Sequence, residues 1–99
     1  MTAHPGFLEV LEEIRRLHLS KGQDYGTPDD IFANVRASAE FGIPAWLGVA
    51  IRMNEKLRRI KSFVANGRLQ HESIEDAFLD LASYAIIGLT LYREEQGTP

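Results

Sequence analysis

The segment from residue 73 to residue 92, SIEDAFLDLASYAIIGLTLY, constrains most strongly what this chain can fold into. At helical spacing its apolar side chains cover nearly the whole circumference, which is typical of a buried helix. One acid interrupts the pattern, because Asp80 stands a full turn inside the segment. An ionised carboxylate in apolar surroundings needs a positive partner, so the sequence predicts either a neighbouring arginine or a metal ion beside Asp80. We expect the helix to be covered by its own chain and by a second copy.

Length and composition predict one cytoplasmic domain. The chain has 99 residues, of which 44% are hydrophobic and 25% charged, and it contains no cysteine, which excludes disulfides and thiolate metal sites. No apolar run is long enough to span a membrane, and no secretory signal is visible at the N-terminus. We therefore expect residues 1–99 to form a single all-α domain in the cytoplasm.

The charges are segregated along the chain. Residues 52–68 carry six basic side chains and one acidic side chain, whereas residues 69–99 carry one basic and six acidic side chains. Two explanations are open: the two segments pair with each other as packed helices, or the basic segment faces an anion such as phosphate. The net charge of -3 and the acids on either side of the basic segment argue against a nucleic-acid partner.

Periodicity and stop signals predict four helices and no strand. The first helix spans residues 7–19, and the second, residues 31–41, ends at Gly42. The third spans about residues 44–66, with a proline in its first turn and Gly67 after its last.

The fourth helix begins with a recognisable cap. Ser73 is a good N-cap and Asp76 stands three residues later, which resembles a capping box with Asp in place of Glu. This capping role is the structural alternative to a metal-binding role for Asp76. Asp80 lies too far inside the helix for the same explanation.

A segment rich in Gly, Pro and Asp, residues 21–30, predicts a structured turn between the first two helices. Its Lys21, Asp24 and Tyr25 place a cation, an acceptor and an aromatic ring where binding groups often lie. The alternative is that Asp24 caps the turn and Tyr25 fills the core.

A row of four polar side chains follows one face of the third helix. Arg52, Glu55, Lys56 and Arg59 have the spacing i, i+3, i+4 and i+7, and they lie away from the apolar stripe of that helix. The row is either an intrahelical ladder of ion pairs centred on Glu55, or a phosphate-binding row that contains one carboxylate.

Several motifs combine along the chain. In order they are Lys21-x-x-Asp24-Tyr25-Gly26, Asn34, Phe41-Gly42-Ile43-Pro44-Ala45-Trp46, Arg52-x-x-Glu55-Lys56-x-x-Arg59 and Glu75-Asp76-x-x-x-Asp80-Leu81-Ala82-x-Tyr84-Ala85. Together, over about residues 20–92, they resemble a phage-associated family of small helical proteins, the nucleotide-modification-associated domain of the first type. That family is similar to the MazG-type nucleoside triphosphate pyrophosphatases, all-α enzymes in which acids on two helices hold Mg²⁺ over a triphosphate. The chain has fewer acids than those enzymes.

The resemblance implies a MazG-like bundle and a Mg²⁺-dependent pyrophosphohydrolase that converts a nucleoside triphosphate, or a deoxynucleotide, to the monophosphate and pyrophosphate. Because one short chain supplies few walls for such a pocket, we expect a homodimer or homotetramer to complete the bundle. The implied catalytic residues are Asp80 and Glu55, and the implied Mg²⁺ ligands are Glu55, Asp76 and Asp80. The implied substrate-binding residues are Lys21, Asp24, Tyr25, Asn34, Arg52, Lys56, Arg59 and Tyr84. The alternative is a helical module that binds a nucleotide or a partner without turnover.

Overall fold

The computed structural model describes residues 2–25, 32–69 and 72–97, without the side chains of residues 22–25 and 34. Most of these residues are helical, in α1 (Pro5–Tyr25), α2 (Ala33–Arg36), a 3₁₀ helix (Ala37–Phe41), α3 (Ala45–Asn66) and α4 (Ile74–Glu95). The described residues contain no strand. The predicted all-α fold with four helices is therefore confirmed.

The chain divides into two compact units, Met1–Asn34 and Val35–Pro99. Within the first unit, an exposed ion pair on α1 joins Arg15 Nη2 to Glu12 Oε1 at 3.0 Å, and the ring of His18 lies against that of Phe32 with 5.7 Å between centroids. The second unit contains α3 and α4. The expectation that residues 1–99 form one domain stays a prediction.

Glycine ends two of the helices where the sequence predicts it. Gly67 follows α3 with a φ of 75°, and its N–H donates to the Phe63 carbonyl at 2.7 Å. Gly42 follows the 3₁₀ helix with a φ of 82°. Because a positive φ strains residues that carry a Cβ, glycine at these positions stops each helix at low cost.

The predicted capping box is also confirmed. The Asp76 N–H donates to Ser73 Oγ at 3.0 Å, and the Ser73 N–H donates to Asp76 Oδ2 at 3.4 Å. Both interactions satisfy backbone donors that the first turn of a helix leaves without partners. From this start α4 continues to Glu95, past the predicted end at Tyr92.

Two predictions near the start of the chain were wrong. Lys21 through Tyr25 are the last residues of α1 and do not form the predicted turn. A glycine inside a helix costs about 1 kcal/mol relative to alanine, so Gly22 weakens the helix without ending it. The predicted helix over residues 31–41 is divided, where it is described, into α2 and the tighter 3₁₀ helix. Residues 26–31 lie outside the described part.

The helices α3 and α4 form an antiparallel hairpin. Trp46 at the start of α3 meets Tyr92 near the end of α4, with ring centroids 5.6 Å apart in an edge-to-face arrangement. One turn farther along α3, Val49 lies opposite Gly88, where an added Cβ would be 3.5 Å from Val49 Cγ1. Residue numbers therefore rise along α3 as they fall along α4.

The 3₁₀ helix lies directly against α3. A Cβ at Gly48 would be 2.5 Å from Ser38 Oγ and 2.7 Å from Ser38 Cβ, so this close approach requires glycine. An ion pair of 2.8 Å between Arg36 Nη2 and Glu94 Oε2 connects the residue before the 3₁₀ helix to the last turn of α4. These contacts attach the 3₁₀ segment to the hairpin.

Few side chains of the hairpin are buried. In the described part of Val35–Pro99, the buried apolar side chains are Val49, Ala77 and Leu91. Among the described residues, no helix combines the length and the apolarity needed to cross a membrane. The core of this unit is thus a narrow seam between α3 and α4.

Candidate functional site

A group of charged side chains joins α3 to the start of α4. Lys56 Nζ lies 2.9 Å from Asp80 Oδ2 and 3.2 Å from Glu72 Oε2. Arg59 Nε lies 3.1 Å from the other carboxylate oxygen of Glu72, Oε1. The side chains of Lys56, Glu72 and Asp80 are 16%, 14% and 21% exposed, so these three charges are largely withdrawn from water. We term Lys56, Arg59, Glu72 and Asp80 the α3–α4 cluster.

Local structure explains why these four residues meet. Helical spacing puts Lys56 and Arg59 on neighbouring positions of α3. The capping box fixes the chain at Ser73, so the preceding residue, Glu72, is held beside α3. Antiparallel packing then brings Asp80, in the second turn of α4, to the same lysine.

The cluster contains two carboxylates and two cations, so its charges compensate one another. Asp80 has a positive partner, as its position in an apolar helix predicts, but that partner is Lys56 and not the expected arginine. The ion pairs also join the basic segment 52–68 to the acidic segment 69–99. The charge segregation is therefore explained, at this end of the hairpin, by pairing between packed helices.

The ammonium of Lys56 is held in its charged form. Burial alone would lower its pKa, but hydrogen bonds and charge interactions with Asp80 and Glu72 outweigh burial and raise the pKa of Lys56 above the ordinary value of 10.5. The lysine therefore links α3 to both acids throughout the physiological pH range.

We expect this lysine to make the protein lose stability in alkaline solution. A group whose pKa is raised by folding stabilises the protein fully below its unfolded pKa, and that stabilisation is lost as the pH rises through the folded pKa. The free energy of unfolding should therefore fall above pH 10.5 as Lys56 loses its proton. The measurement is denaturant unfolding at a series of pH values between 8 and about 12.

Two lysine variants separate this effect from other alkaline titrations. Lys56→Met should remove the Lys56 contribution to the alkaline loss, whereas Lys61→Met, at an exposed position of the same helix, should leave it unchanged. An identical pH dependence in both variants would contradict the role given to Lys56.

One carboxylate oxygen of the cluster, Glu72 Oε1, can accept a further hydrogen bond. Arg59 Nε is close to Glu72 Oε1, but the geometry is that of a charge contact, and within the described residues this buried oxygen receives no hydrogen bond. A buried carboxylate oxygen in this state retains lone pairs for another donor or for a cation.

The predicted metal ligands lie in three different settings. Asp80 pairs with Lys56, Asp76 belongs to the capping box, and Glu55 is exposed on α3. Among the described residues, no group of three or more His, Cys, Asp or Glu side chains is arranged to hold a metal ion. The assignment of these three acids to Mg²⁺, and of Asp80 and Glu55 to catalysis, stays a prediction.

The predicted substrate-binding residues of α3 and α4 lie in the unit Val35–Pro99. Arg52 is exposed, Arg59 is half-exposed, and Lys56 is engaged with its two acids. Tyr84 is half-buried on α4, one turn after Asp80. The structure thus brings Lys56 and Arg59 into one group, while Arg52 continues the row along α3.

The other predicted substrate-binding residues belong to the unit Met1–Asn34. Lys21 is an exposed residue of α1. The side chains of Asp24, Tyr25 and Asn34 lie outside the described residues. Their participation in a binding site is untested.

The residue that sequence reasoning missed is Glu72. It immediately precedes the capping box, which fixes the position at which the chain enters α4. The sequence pattern that could have identified Glu72 is the combination of that position with two cations spaced i, i+3 on the basic helix. Recognising it required the pairing of α3 with α4, which the motif alone does not specify.

The cluster and its neighbours now define the candidate site: a compensated group of partly buried charges, one carboxylate oxygen that receives no hydrogen bond from the described residues, and a row of arginines on the exposed side of α3. Comparison of the chain with models of protein families, with characterised proteins and with solved structures gave no match. The resemblance to the nucleotide-modification-associated domain therefore rests on the motifs alone.

Proposed function

We propose that this chain is a helical module that binds the phosphates of a nucleotide on α3, beside the α3–α4 cluster. The observation that carries the proposal is that Arg59 is 49% exposed at the edge of the cluster. Arg52, also exposed, precedes it by about two turns, or about 10 Å, on the same face. Guanidinium groups present paired donors to phosphate oxygens, so the two arginines suit the two ends of a phosphate chain.

The neighbouring acid Glu72 holds Arg59 in position before a ligand binds. Contact with Glu72 restrains Arg59, which reduces the side-chain entropy lost when a ligand binds. Glu55 is exposed between the two arginines, and a carboxylate there suits a nucleotide that arrives as its Mg²⁺ complex. The arginines thus support the part of the proposal that concerns phosphate recognition. The choice of a nucleotide as the ligand, and a role in phage nucleotide metabolism or modification, are supported by the resemblance.

Calorimetric titration with the common deoxynucleoside triphosphates in Mg²⁺ tests the proposal. We expect binding to the wild-type protein, and we expect the double variant Arg52→Gln/Arg59→Gln to bind about tenfold more weakly or worse, since hydrogen bonds to charged groups contribute at least that much. Lys61→Gln is the matched control, because Lys61 is exposed on the opposite side of the same helix. Equal affinity in the double variant and the control would refute the phosphate-binding row.

A second candidate function is the Mg²⁺-dependent hydrolysis of a nucleoside triphosphate to the monophosphate and pyrophosphate. It is favoured by the unsatisfied Glu72 Oε1 and by the convergence of Glu72 and Asp80 on one nitrogen, within 3.2 Å of each. If Lys56 moved toward the phosphates, these two carboxylates would fit the oxygen ligands that Mg²⁺ requires. The bound cation would supply charge stabilisation to the phosphoryl group.

Pyrophosphate release separates the two candidates. Under the hydrolase proposal, release occurs with Mg²⁺ and is lost in Asp80→Asn and Glu72→Gln, while both variants still bind the triphosphate. Binding without release from any triphosphate leaves the non-catalytic module. The homodimer or homotetramer expected from chain length is not required for either outcome.

A further inference from the structure

The side of α4 that faces away from α3 is apolar and exposed, and Tyr92, whose ring also contacts Trp46 of α3, lies at its border. Its large side chains are about half exposed: Phe78 56%, Ile86 50%, Leu89 50% and Tyr92 45%. Two smaller residues, Ala82 and Ala85, lie between them, and α4 has no charged residue from position 81 to position 92. We term Phe78, Ala82, Ala85, Ile86, Leu89 and Tyr92 the outer α4 face.

The outer α4 face exposes a large apolar area. With areas of roughly 150 to 250 Å² for large apolar and aromatic side chains, the exposed halves of the four large residues amount to about 400 Å². A contiguous apolar patch of that order is comparable to the largest patch on a typical monomer, and such patches are often functional. The Thr90 hydroxyl, at the edge of the face, already donates to the Ile86 carbonyl at 2.9 Å, so covering it leaves no unsatisfied donor.

We propose that the outer α4 face binds the same face of a second copy of this chain. The two α4 helices are antiparallel, and the two-fold axis crosses them at the level of residue 84. The inference is independent of the proposed function. In this arrangement Phe78 lies level with Leu89 of the second copy, and Ile86 lies level with its Ala82. Large side chains thus meet at both ends, and near the axis a large side chain meets a small one, which lets the helices approach closely.

Charge complementarity selects a second copy in this orientation. Glu75 and Arg93 border the outer α4 face at its two ends, and both are exposed. Their separation is about five whole turns, so they lie on the same side of α4 but about 27 Å apart, too far to pair within one chain. Antiparallel association places each Glu75 next to Arg93 of the other copy, whereas parallel association would place like charges together.

Sedimentation equilibrium of the full chain over a range of concentrations tests the interface. We expect a wild-type dimer, and we expect Leu89→Glu to raise its dissociation constant at least 100-fold, since it buries a charge against Phe78 of the second copy (about 2.7 kcal/mol or more). The matched control is Ile51→Glu, because Ile51 is 52% exposed on α3, and it should leave the dimer intact. Helix content by circular dichroism should be unchanged in both variants, since both positions are exposed.

A charge exchange tests the orientation. Glu75→Arg and Arg93→Glu should each weaken the dimer, and the double variant Glu75→Arg/Arg93→Glu should restore it, because the two charges meet only between copies. Recovery in the double variant supports the proposal. A monomeric wild-type protein, a dimer insensitive to Leu89→Glu, or a double variant no tighter than the single variants would each overturn it.

Discussion

Replacing Lys56 with methionine should lower the free energy of unfolding by about 3 kcal/mol, because it leaves two partly buried carboxylates without their shared cation. Lys56 is 16% exposed and lies within 3.2 Å of both Glu72 and Asp80. Methionine retains much of the length and apolar volume of the lysine stem, so the loss reports on charge rather than on packing. For a domain whose total stability is about 5 to 15 kcal/mol, this is a large fraction. Urea unfolding at neutral pH, followed by circular dichroism, measures it.

Neutralising the acids provides the control. Asp80→Asn alone should cost less than Lys56→Met, because the ammonium keeps Glu72 as a partner. In the triple variant Lys56→Met/Glu72→Gln/Asp80→Asn all three side chains are neutral, so no charge is left without a partner. Most of the lost stability should therefore return. Arg59 is half-exposed and remains solvated in that variant. A triple variant as unstable as Lys56→Met would show that lost packing, not an uncompensated charge, explains the effect.

Asp80 shows which part of the candidate site could be predicted from the sequence. An acid one turn inside an apolar helix requires a cation, and that requirement follows from desolvation alone. Desolvation does not specify which cation, because a lysine on a neighbouring helix and a bound metal ion both satisfy it. The antiparallel hairpin decides in favour of Lys56, and pairing between helices is a property of tertiary structure.

Helix boundaries were predictable where a local interaction determines them. Ser73 and Asp76 begin α4 through hydrogen bonds between neighbours in sequence, and Gly67 ends α3 through its own backbone conformation. The Gly, Pro and Asp content of residues 21–30 misled the prediction, because a glycine such as Gly22 only weakens a helix unless its φ becomes positive. The apolar residues that recur at helical spacing along α3 include Val49 and Val64, yet Val49 is buried while Val64 is 80% exposed. Periodicity identifies a face, but the partner helix determines how much of it is covered.

Truncation of Val49 should be the most damaging change in the apolar seam. Val49 is 1% exposed, and Val49→Ala removes two carbon atoms from the contact between α3 and α4. At about 0.8 kcal/mol for each carbon group, plus the cost of the cavity left behind, we expect a loss of about 2 to 3 kcal/mol in the free energy of unfolding. Denaturant unfolding with an unchanged m-value would confirm a loss of stability without a change of fold.

Gly88 allows the cause of that loss to be identified. A Cβ at Gly88 would lie 3.5 Å from Val49 Cγ1, which is ordinary van der Waals contact, so Gly88→Ala alone should be neutral or stabilising by up to about 1 kcal/mol from its helix propensity. In the Val49→Ala background the same methyl group points into the new cavity. The double variant should therefore be more stable than the sum of the single changes by about 0.5 to 1 kcal/mol. Helix propensity contributes equally in both backgrounds, so the coupling energy measures cavity filling, and strictly additive changes would show that α4 does not meet α3 at this level.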